Sequence, residues 1–214
     1  MNLDLGIEYE VHLGRYDDTS RLQRPTEYEI PDYKITYESI DDSNNYGYEL
    51  KTMKTRSLYK YTNEIKRLTP FFRRNKHISG PMNGGGIHVN ISPINAVFHK
   101  RCLNFLMGCN EDFLLNLSGR SYDSFVKFSR IDHQTSLYYH ILSTRKQYAY
   151  EFRMFAANSY LVKPAIQMAH AMFSLAEVSD GDYTFDTFMT YINDTRIYRQ
   201  LANRCNFILK GISQ

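Results

Sequence analysis

The sequence predicts one α+β domain over residues 1–214, with a mainly antiparallel sheet backed by helices. The length suits a single well-filled core. The composition, 43% hydrophobic and 23% charged, is that of an ordinary globular protein. Strand and helix patterns follow in the order strands, helix, strand, helix, strands, helices. Helices therefore do not regularly separate the strands, as they would in a parallel sheet.

The N-terminal quarter is predicted to be mostly extended. Apolar and polar residues alternate over residues 3–13, which predicts a strand with one apolar and one acidic face. A loop is expected next, followed by a short strand pair around residues 28–30 and 33–37. Residues 46–53, with the sequence YGYELKTM, predict a second core strand.

The middle of the chain is predicted to alternate between helix and strand. Apolar residues at helical spacing indicate a helix from about residue 55 to Pro70. The glycine run at residues 84–86 predicts a loop that leads into a short strand with the sequence IHVNIS. Ser92 is then expected to cap the next helix, with Pro93 as its first residue.

The C-terminal half is predicted to end in helices. The helix that follows Pro93 is expected to run toward Leu117, with a break at Asn110. The later elements are predicted as extended segments at about 124–131 and 135–142, a strand over 147–156, and helices over roughly 161–178, 184–192 and 195–209. We interpret residues 183–214 as a C-terminal helical extension of the domain.

The charge balance disfavours nucleic acid as a partner. The chain has 26 Lys and Arg residues against 23 Asp and Glu, a net charge of +3. Proteins that bind a phosphate backbone usually carry a strong basic excess or a basic stripe. Basic residues do cluster between Lys51 and Lys76, and we interpret this cluster as a solvated helix face rather than a polyanion site.

The sequence also predicts a cytoplasmic protein with no membrane partner. Cys102, Cys109 and Cys205 cannot pair completely, and they stand in apolar, helix-like surroundings where a free cysteine behaves as a small buried hydrophobe. The first ten residues contain three acids and no basic segment, so no signal peptide is expected. Acidic residues interrupt the most apolar stretch well before the roughly 20 residues that a bilayer requires.

Four strand-like segments each carry two polar residues two positions apart. The pairs are Glu8 and Glu10, Glu49 and Lys51, His88 and Asn90, and Glu151 and Arg153. Strand side chains alternate between faces, so both members of a pair lie on the same face. If the strands share one sheet, one face gathers all eight polar residues, and the apolar residues between them face the helices.

Such a group of carboxylates indicates a divalent metal. Two unit charges about 4 Å apart interact by about 4 kcal/mol at an effective dielectric constant of about 20, so the acids need cations. Oxygen ligands with one imidazole suit Mg²⁺ or Mn²⁺ better than Zn²⁺. Nucleotide phosphates commonly complete such a site, and Arg153 is placed to clamp a transferring phosphoryl group.

A structural interpretation competes with this one. Any single pair is explained more simply as the solvent face of an antiparallel strand, where polar residues normally alternate. Four pairs together, three of which contain acids, favour the functional interpretation. The residues therefore indicate ATP chemistry in a chain that lacks the Gly-Lys-Ser/Thr ending of a P-loop.

The ordered motifs resemble the amidoligase family of carboxylate–amine ligases. The segments that carry the resemblance are GIEYEV, GYELKT, GGGIHVNIS, SGRSYDSF and YEFRMF, and the similarity covers roughly residues 5–178. The resemblance implies a curved antiparallel sheet with the glutamine synthetase-like catalytic fold. It also implies ATP and Mg²⁺ or Mn²⁺ as cofactors, and an amide bond made through an acyl phosphate.

The resemblance assigns roles to individual residues. The metal ligands would be Glu8, Glu10, Glu49, His88 and Glu151. The nucleotide contacts would be His88, Asn90, Arg120 and Arg153. The catalytic residues would be Glu10, Glu49 and Arg153, with one of the carboxylates accepting the proton of the amine.

Several positions depart from the family pattern or have two interpretations. Lys51 and Thr52 stand where the family favours an apolar residue and Ser, and Asn90 replaces a second histidine. Asn90 can still donate or accept a hydrogen bond and so serve adenine or ribose. Arg120 is either an active-site arginine or the cation at the C-terminal end of the preceding helix.

We therefore expect an ATP-dependent ligase that joins a small-molecule or peptide carboxylate to an amine. Two other classes stay open: a catalytically inactive binding module of the same fold, and an ATP-dependent phosphotransferase. The retained carboxylates and Arg153 argue against the inactive module, because a decayed site should lose charged residues that are costly to keep together.

Overall fold

A computed structural model describes ten segments of the chain. They are residues 3–13, 33–39, 46–52, 54–58, 86–93, 95–120, 142–143, 149–158, 160–179 and 183–212. Of residues 10–13, 33–39, 46–50 and 143 the structure describes the backbone only. The predicted strand at 28–30, the extended segment at 124–131, and nearly all of the predicted helix up to Pro70 lie outside the described residues.

The described strands form one antiparallel sheet of six strands in the order β2-β3-β1-β4-β6-β5. Their bounds are β1 Asp4–Leu13, β2 Tyr33–Ser39, β3 Tyr46–Thr52, β4 Gly86–Ser92, β5 Leu142–Ser143 and β6 Tyr150–Ala156. The expected α+β class with an antiparallel sheet is confirmed. The strands predicted over residues 3–13, 33–37, 46–53 and 147–156 appear as β1, β2, β3 and β6, and the IHVNIS strand appears as β4. β1 pairs with β3 on one side and β4 on the other.

Thr55 corrects the predicted start of the first helix. Its backbone exchanges two hydrogen bonds with Leu5, of 2.8 and 2.9 Å, so it extends the sheet beside β1 instead of opening a helix. Within the described segment 54–58, helical structure is first found at Leu58. The apolar spacing that predicted the helix begins at this same residue.

The next helices begin at asparagine caps. α1 spans Ala96–Gly108, and the side chain of Asn95 accepts hydrogen bonds from the backbone N–H groups of Val97 and Phe98. The predicted cap at Ser92 is wrong, because this residue pairs with Asp4 as the last residue of β4. The predicted break is confirmed: Asn110 caps α2, which spans Glu111–Ser118.

The C-terminal helices follow the predicted pattern closely. They are α3 Val162–Val178, α4 Phe185–Asp194, a 3₁₀ turn at Arg196–Tyr198, and α5 Arg199–Ile212. The buried Gln167 of α3 donates to the carbonyl of Ile197 over 2.5 Å and accepts from the N–H of Leu201 over 2.9 Å. This amide therefore ties the start of α5 to α3.

The hydrophobic core lies between one face of the sheet and the helices. Ile7, Val89 and Phe152 come from adjacent strands and are almost fully buried, and α3 packs against β4 and β6. Side chains of the C-terminal helices, such as Phe188 and Leu201, belong to the same core cluster. The opposite face of the sheet is left to the polar residues.

The cysteines are part of this packing. Cys102 and Cys205 are buried and all three cysteines are free thiols, as their apolar surroundings predict. Burial raises the pKa of Cys109 and of Cys205 to about 12, so neither thiol ionises near neutral pH. Among the described residues, no helix has both the length and the apolar character needed to cross a bilayer.

Candidate metal centre

The predicted polar pairs lie on four strands that are neighbours in space, in the order β3, β1, β4, β6. The register places Glu8 between Lys51 of β3 and His88 of β4. On one side of this row Glu10 lies opposite Glu49. On the other side, level with Gly6, Asn90 lies opposite Glu151. The side chains of Glu10 and Glu49 lie outside the described residues, so only their register positions are known.

Glu8, His88 and Glu151 form a compact triad. The Nδ1 atom of His88 lies 3.8 Å from Oε2 of Glu8 and 3.6 Å from Oε1 of Glu151. One ligand atom from each of the three residues falls within 4.8 Å of the others. His88 and Glu151 are 3% and 7% exposed, and the Glu8 side chain is 12% exposed. Three potential ligands thus converge at a point shielded from solvent.

The triad fits a divalent cation. Two carboxylates and one imidazole are a donor set suited to Mg²⁺ and especially to Mn²⁺. Two ligand atoms at right angles and about 2.1 Å from one ion lie about 3.0 Å apart, so the three atoms need to move inward by less than an ångström each. Without a cation, two buried carboxylates this close together would repel each other.

Arg153 contacts the triad at Nε2 of His88, the ring nitrogen that does not face the two carboxylates. Its Nε donates to Nε2 of His88 over 3.3 Å, and its Nη1 lies 3.8 Å from Oε2 of Glu151. Because Nε2 accepts this bond, the proton of a neutral His88 ring belongs on Nδ1, facing the two carboxylates. The guanidinium therefore orients the imidazole toward the two carboxylates. A metal ion bound at Nδ1 would require the proton to be on Nε2 instead, so metal binding would change the tautomer and release Arg153 from the ring.

An irregularity in β6 produces this contact. Ile87 lies opposite Phe155, and Val89 lies opposite Phe152, so His88 alone faces two residues, Arg153 and Met154. Such a bulge lets a strand place one side chain out of the regular alternation. Met154 and Phe155 are both fully buried, while Arg153 remains on the polar face.

Asn90 holds a triad carboxylate. Its Nδ2 donates to Oε1 of Glu8 over 2.9 Å, leaving Oε2 as the oxygen nearer to His88. A hydrogen bond of this kind fixes a carboxylate for metal binding. Thr52, another position that departs from the pattern of the family the motifs resemble, accepts a hydrogen bond from the backbone N–H of Ile7 through its Oγ1 over 2.9 Å and so fastens β3 to β1.

Arg120 supports the bulge instead of capping its own helix. Its Nε donates to the carbonyl of Met154 over 3.0 Å, and its Nη2 donates to that of Phe155 over 3.3 Å. A Cβ atom on Gly86 would come within 2.8 Å of Nε2 of His88 and 3.1 Å of Nη2 of Arg120. Gly86 therefore leaves room for both side chains beside the triad.

Sequence reasoning did not anticipate two of these features. The bulge at Arg153 depends on pairing between residues more than 60 positions apart. The close approach at Gly86 depends on the position of the His88 ring and on Arg120, which is 34 residues away. One local signal pointed toward Gly86. It stands directly before the predicted strand IHVNIS, which carries the candidate ligand His88.

Comparison with known proteins finds neither a matching family model nor a similar curated protein. The geometry of the triad and its neighbours therefore carries the functional proposal.

Proposed function

We propose that the protein is an ATP-dependent carboxylate–amine ligase that uses Mg²⁺ or Mn²⁺ and has the glutamine synthetase-like catalytic fold. The observation that carries the proposal is the buried Glu8–His88–Glu151 triad with Arg153 against His88. A metal bound at the triad would supply charge neutralisation to nucleotide phosphates. The antiparallel sheet with helices on its apolar face is compatible with this fold.

Each described residue of the site has a role in the proposal. Glu8, His88 and Glu151 hold the metal, and Asn90 orients Glu8. Arg153 places a positive charge beside the triad, where it would offset charge that spreads over a phosphoryl group during transfer. Arg120 holds the bulge that presents Arg153, so its role is positioning.

The proposed reaction has two steps. An oxygen of the substrate carboxylate attacks the γ-phosphorus of ATP, and ADP leaves. The nitrogen of the amine then attacks the acyl carbon, phosphate leaves, and a carboxylate of the site takes the proton. Glu10 and Glu49, which the register places opposite each other next to the triad, are the proposed acceptors of that proton.

The ordered motifs favour a ligase over other ATP-dependent chemistry. Segments that resemble the amidoligase family supply β1, β4 and β6, which carry the triad, and β3, which pairs with β1 beside it. A P-loop is absent from the sequence, so the nucleotide phosphates would be bound by metal and arginine.

The test measures ADP release with a library of carboxylic acids, with and without a set of amines. A ligase releases ADP fastest when both are present and yields an amide by mass spectrometry. The variants Glu151→Gln and Arg153→Ala should lose this activity, and Lys100→Ala, an exposed change on α1, should keep it.

The same measurement separates the other two classes. ADP release that needs no amine, with a phosphorylated acceptor as the product, would identify a phosphotransferase and overturn the ligase. If calorimetry shows that the protein binds neither Mg-ATP nor Mn-ATP, both the ligase and the phosphotransferase are excluded.

A further inference from the structure

One side of the last helix, α5, is exposed along its length. Arg199, Asn203, Phe207 and Lys210 follow one another at spacings of four, four and three residues, so they line one side of the helix. All four are exposed, and the residues that α5 buries in the core lie on its other side. These four residues are called the α5 face below.

Phe207 is the apolar centre of the α5 face. Its side chain is 79% exposed, and Ile212 at the end of the same helix is 44% exposed. A ring in water lacks the stabilisation that burial of an aromatic side chain gives. Single exposed apolar residues are common on protein surfaces, so the surroundings of Phe207 decide whether it belongs to a binding site.

An open groove lies beside Phe207. Its volume is about 450 Å³, and its lining comes from α2 and α5: Asn116, Phe207, Ile208, Lys210, Gly211 and Ile212. At Gly211 a Cβ atom would meet no other atom within 4 Å, so this part of the groove is wide. The volume falls in the range of small-ligand pockets and is sufficient for one large apolar side chain.

Arg204 fixes the position of the groove wall. Its Nε donates to the carbonyl of Leu117 over 2.9 Å, and its Nη2 donates to that of Asn116 over 2.7 Å. Both carbonyls belong to α2, so the guanidinium joins α5 to this helix. The Cζ atom of Arg204 also lies 5.8 Å from the ring centroid of Tyr160. A groove held in this way needs little ordering when a partner binds.

The charge around the groove is positive. Residues 195–214 contain four basic residues and no acidic residue. Among the residues that the structure describes, neither Arg199 nor Lys210 forms an ion pair. The two are separated by about 16 Å along the helix, with Phe207 between them. This surface is therefore complementary in charge to an acidic partner.

We propose that the α5 face binds an acidic segment of another protein, with one large apolar side chain of that segment in the groove beside Phe207. Carboxylates on either side of the apolar side chain pair with Arg199 and Lys210. The α5 face belongs to the helical layer, whereas the metal triad lies on the opposite face of the sheet. The inference thus goes beyond the proposed function and does not depend on it.

Other partners match the α5 face less well. A second copy of the chain that used the same face would place cations against cations, which opposes association. A bilayer binds a broad apolar surface, whereas this surface has a concave groove and two exposed apolar side chains, Phe207 and Ile212. A nucleic acid would favour a larger basic excess than a net charge of +3.

The test selects peptides from a random display library, in parallel on the wild type and on Phe207→Ser. Peptides enriched by the wild type alone should be rich in Asp and Glu and carry at least one large apolar residue. These peptides are then synthesised and titrated by fluorescence anisotropy. Lys210→Glu and Phe207→Ser should each weaken binding about tenfold or more, the loss typical of an interface anchor, and Lys210→Arg should retain most of it. Added salt should weaken binding to the wild type.

Matched changes of exposed residues on α1 are the controls. Met107→Ser and Lys100→Glu should bind the peptides within about twofold of the wild type. Urea denaturation checks that Phe207→Ser and Lys210→Glu stay folded, as expected for changes of exposed side chains.

Three outcomes would overturn the inference. The first is the absence of acidic peptides specific to the wild type, and the second is binding of the selected peptides that Lys210→Glu leaves unchanged. The third is binding of anionic lipid vesicles or single-stranded DNA that Phe207→Ser abolishes, in a protein that selects no acidic peptide. That result would assign the α5 face to a membrane or a nucleic acid instead.

Discussion

Arg153 and His88 form the contact that organises the polar face of the sheet: Nε of the arginine donates to Nε2 of the imidazole over 3.3 Å. The bond leaves Nδ1 directed at Glu8 and Glu151, 3.8 and 3.6 Å away. Arg153 thus fixes the orientation of the ring in the metal-free site. A metal ion at Nδ1 would need the ring proton on Nε2, so Arg153 would give up this bond and become available to another acceptor.

Asn90→Ala should weaken the binding of Mn²⁺ about tenfold, since loss of a residue that orients a ligand typically costs 10- to 100-fold in affinity. The change removes the 2.9 Å hydrogen bond from Nδ2 to Oε1 of Glu8. Calorimetric titration with Mn²⁺ measures the effect, and Ser92→Ala, two residues along the same strand, serves as the control. Unchanged affinity in Asn90→Ala would mean that this amide does not position Glu8.

Gly86→Ala adds only one methyl group, but it should weaken metal binding strongly. The new Cβ would lie 2.8 Å from Nε2 of His88, so the ring must move and its bond with Arg153 must lengthen. We expect more than a tenfold loss of Mn²⁺ affinity. Gly108→Ala is the matched control, because a Cβ there meets no atom within 4 Å. Equal affinity in the two variants would contradict the crowding at Gly86.

Arg120→Lys should lower the free energy of unfolding by about 2 kcal/mol, the usual range for lost hydrogen bonds to a charged, buried group. The guanidinium satisfies the carbonyls of Met154 and Phe155 together, and a single ammonium lacks the planar fork that reaches both. Urea denaturation measures the change. A loss below about 0.5 kcal/mol would show that the bulge does not need this arginine.

His99→Phe should make the protein less sensitive to acid. The ring of His99 stacks on Tyr150 with centroids 4.6 Å apart, and its buried Nε2 has no hydrogen-bond partner among the described residues. Burial lowers the pKa of His99, so the unfolded chain takes up this proton first as the pH falls below about 6.5, and folding loses stability.

Unfolding in urea at pH 7 and at pH 5 checks this prediction. The variant should stay within about 1 kcal/mol of the wild type at pH 7 and lose less stability on going to pH 5. Part of the acid sensitivity should persist, since burial lowers the pKa of His170 as well. An equal or larger loss in the variant would show that the His99 ring is not kept neutral by the fold.

Local patterns in the sequence predicted most of the elements and the face on which the polar residues lie. The alternation in residues 3–13 depends only on the period of a strand, and it predicted β1 to within a residue. The asparagine at 110 interrupts a helical pattern with a residue that caps helices well, and α2 begins directly after it. The rule that residues i and i+2 share a face predicted the polar face within each strand. With the strands assumed to share one sheet, it also predicted that Glu8, His88 and Glu151 lie on one surface.

The sequence could not predict the contacts between strands. A slip of one residue in the pairing of β1 with β4 would turn Glu8 away from His88, and nothing local fixes that register. The same limit explains the error at Ser92, where a good capping sequence is held in the sheet by pairing with Asp4. The choice between the two interpretations of Arg120 also required knowledge of a distant partner. Its guanidinium binds carbonyls of β6, which are more than 30 residues away in the chain.

The most direct test of the central claim is a calorimetric titration of Mn²⁺ and then Mn-ATP into the wild type and into Glu151→Gln, with Lys100→Ala as the control. We predict one Mn²⁺ site per chain, tighter binding of ATP when the metal is present, and loss of both in Glu151→Gln only. Equal binding of Mn²⁺ and Mn-ATP by the wild type and Glu151→Gln would contradict the metal centre and the ligase proposed from it.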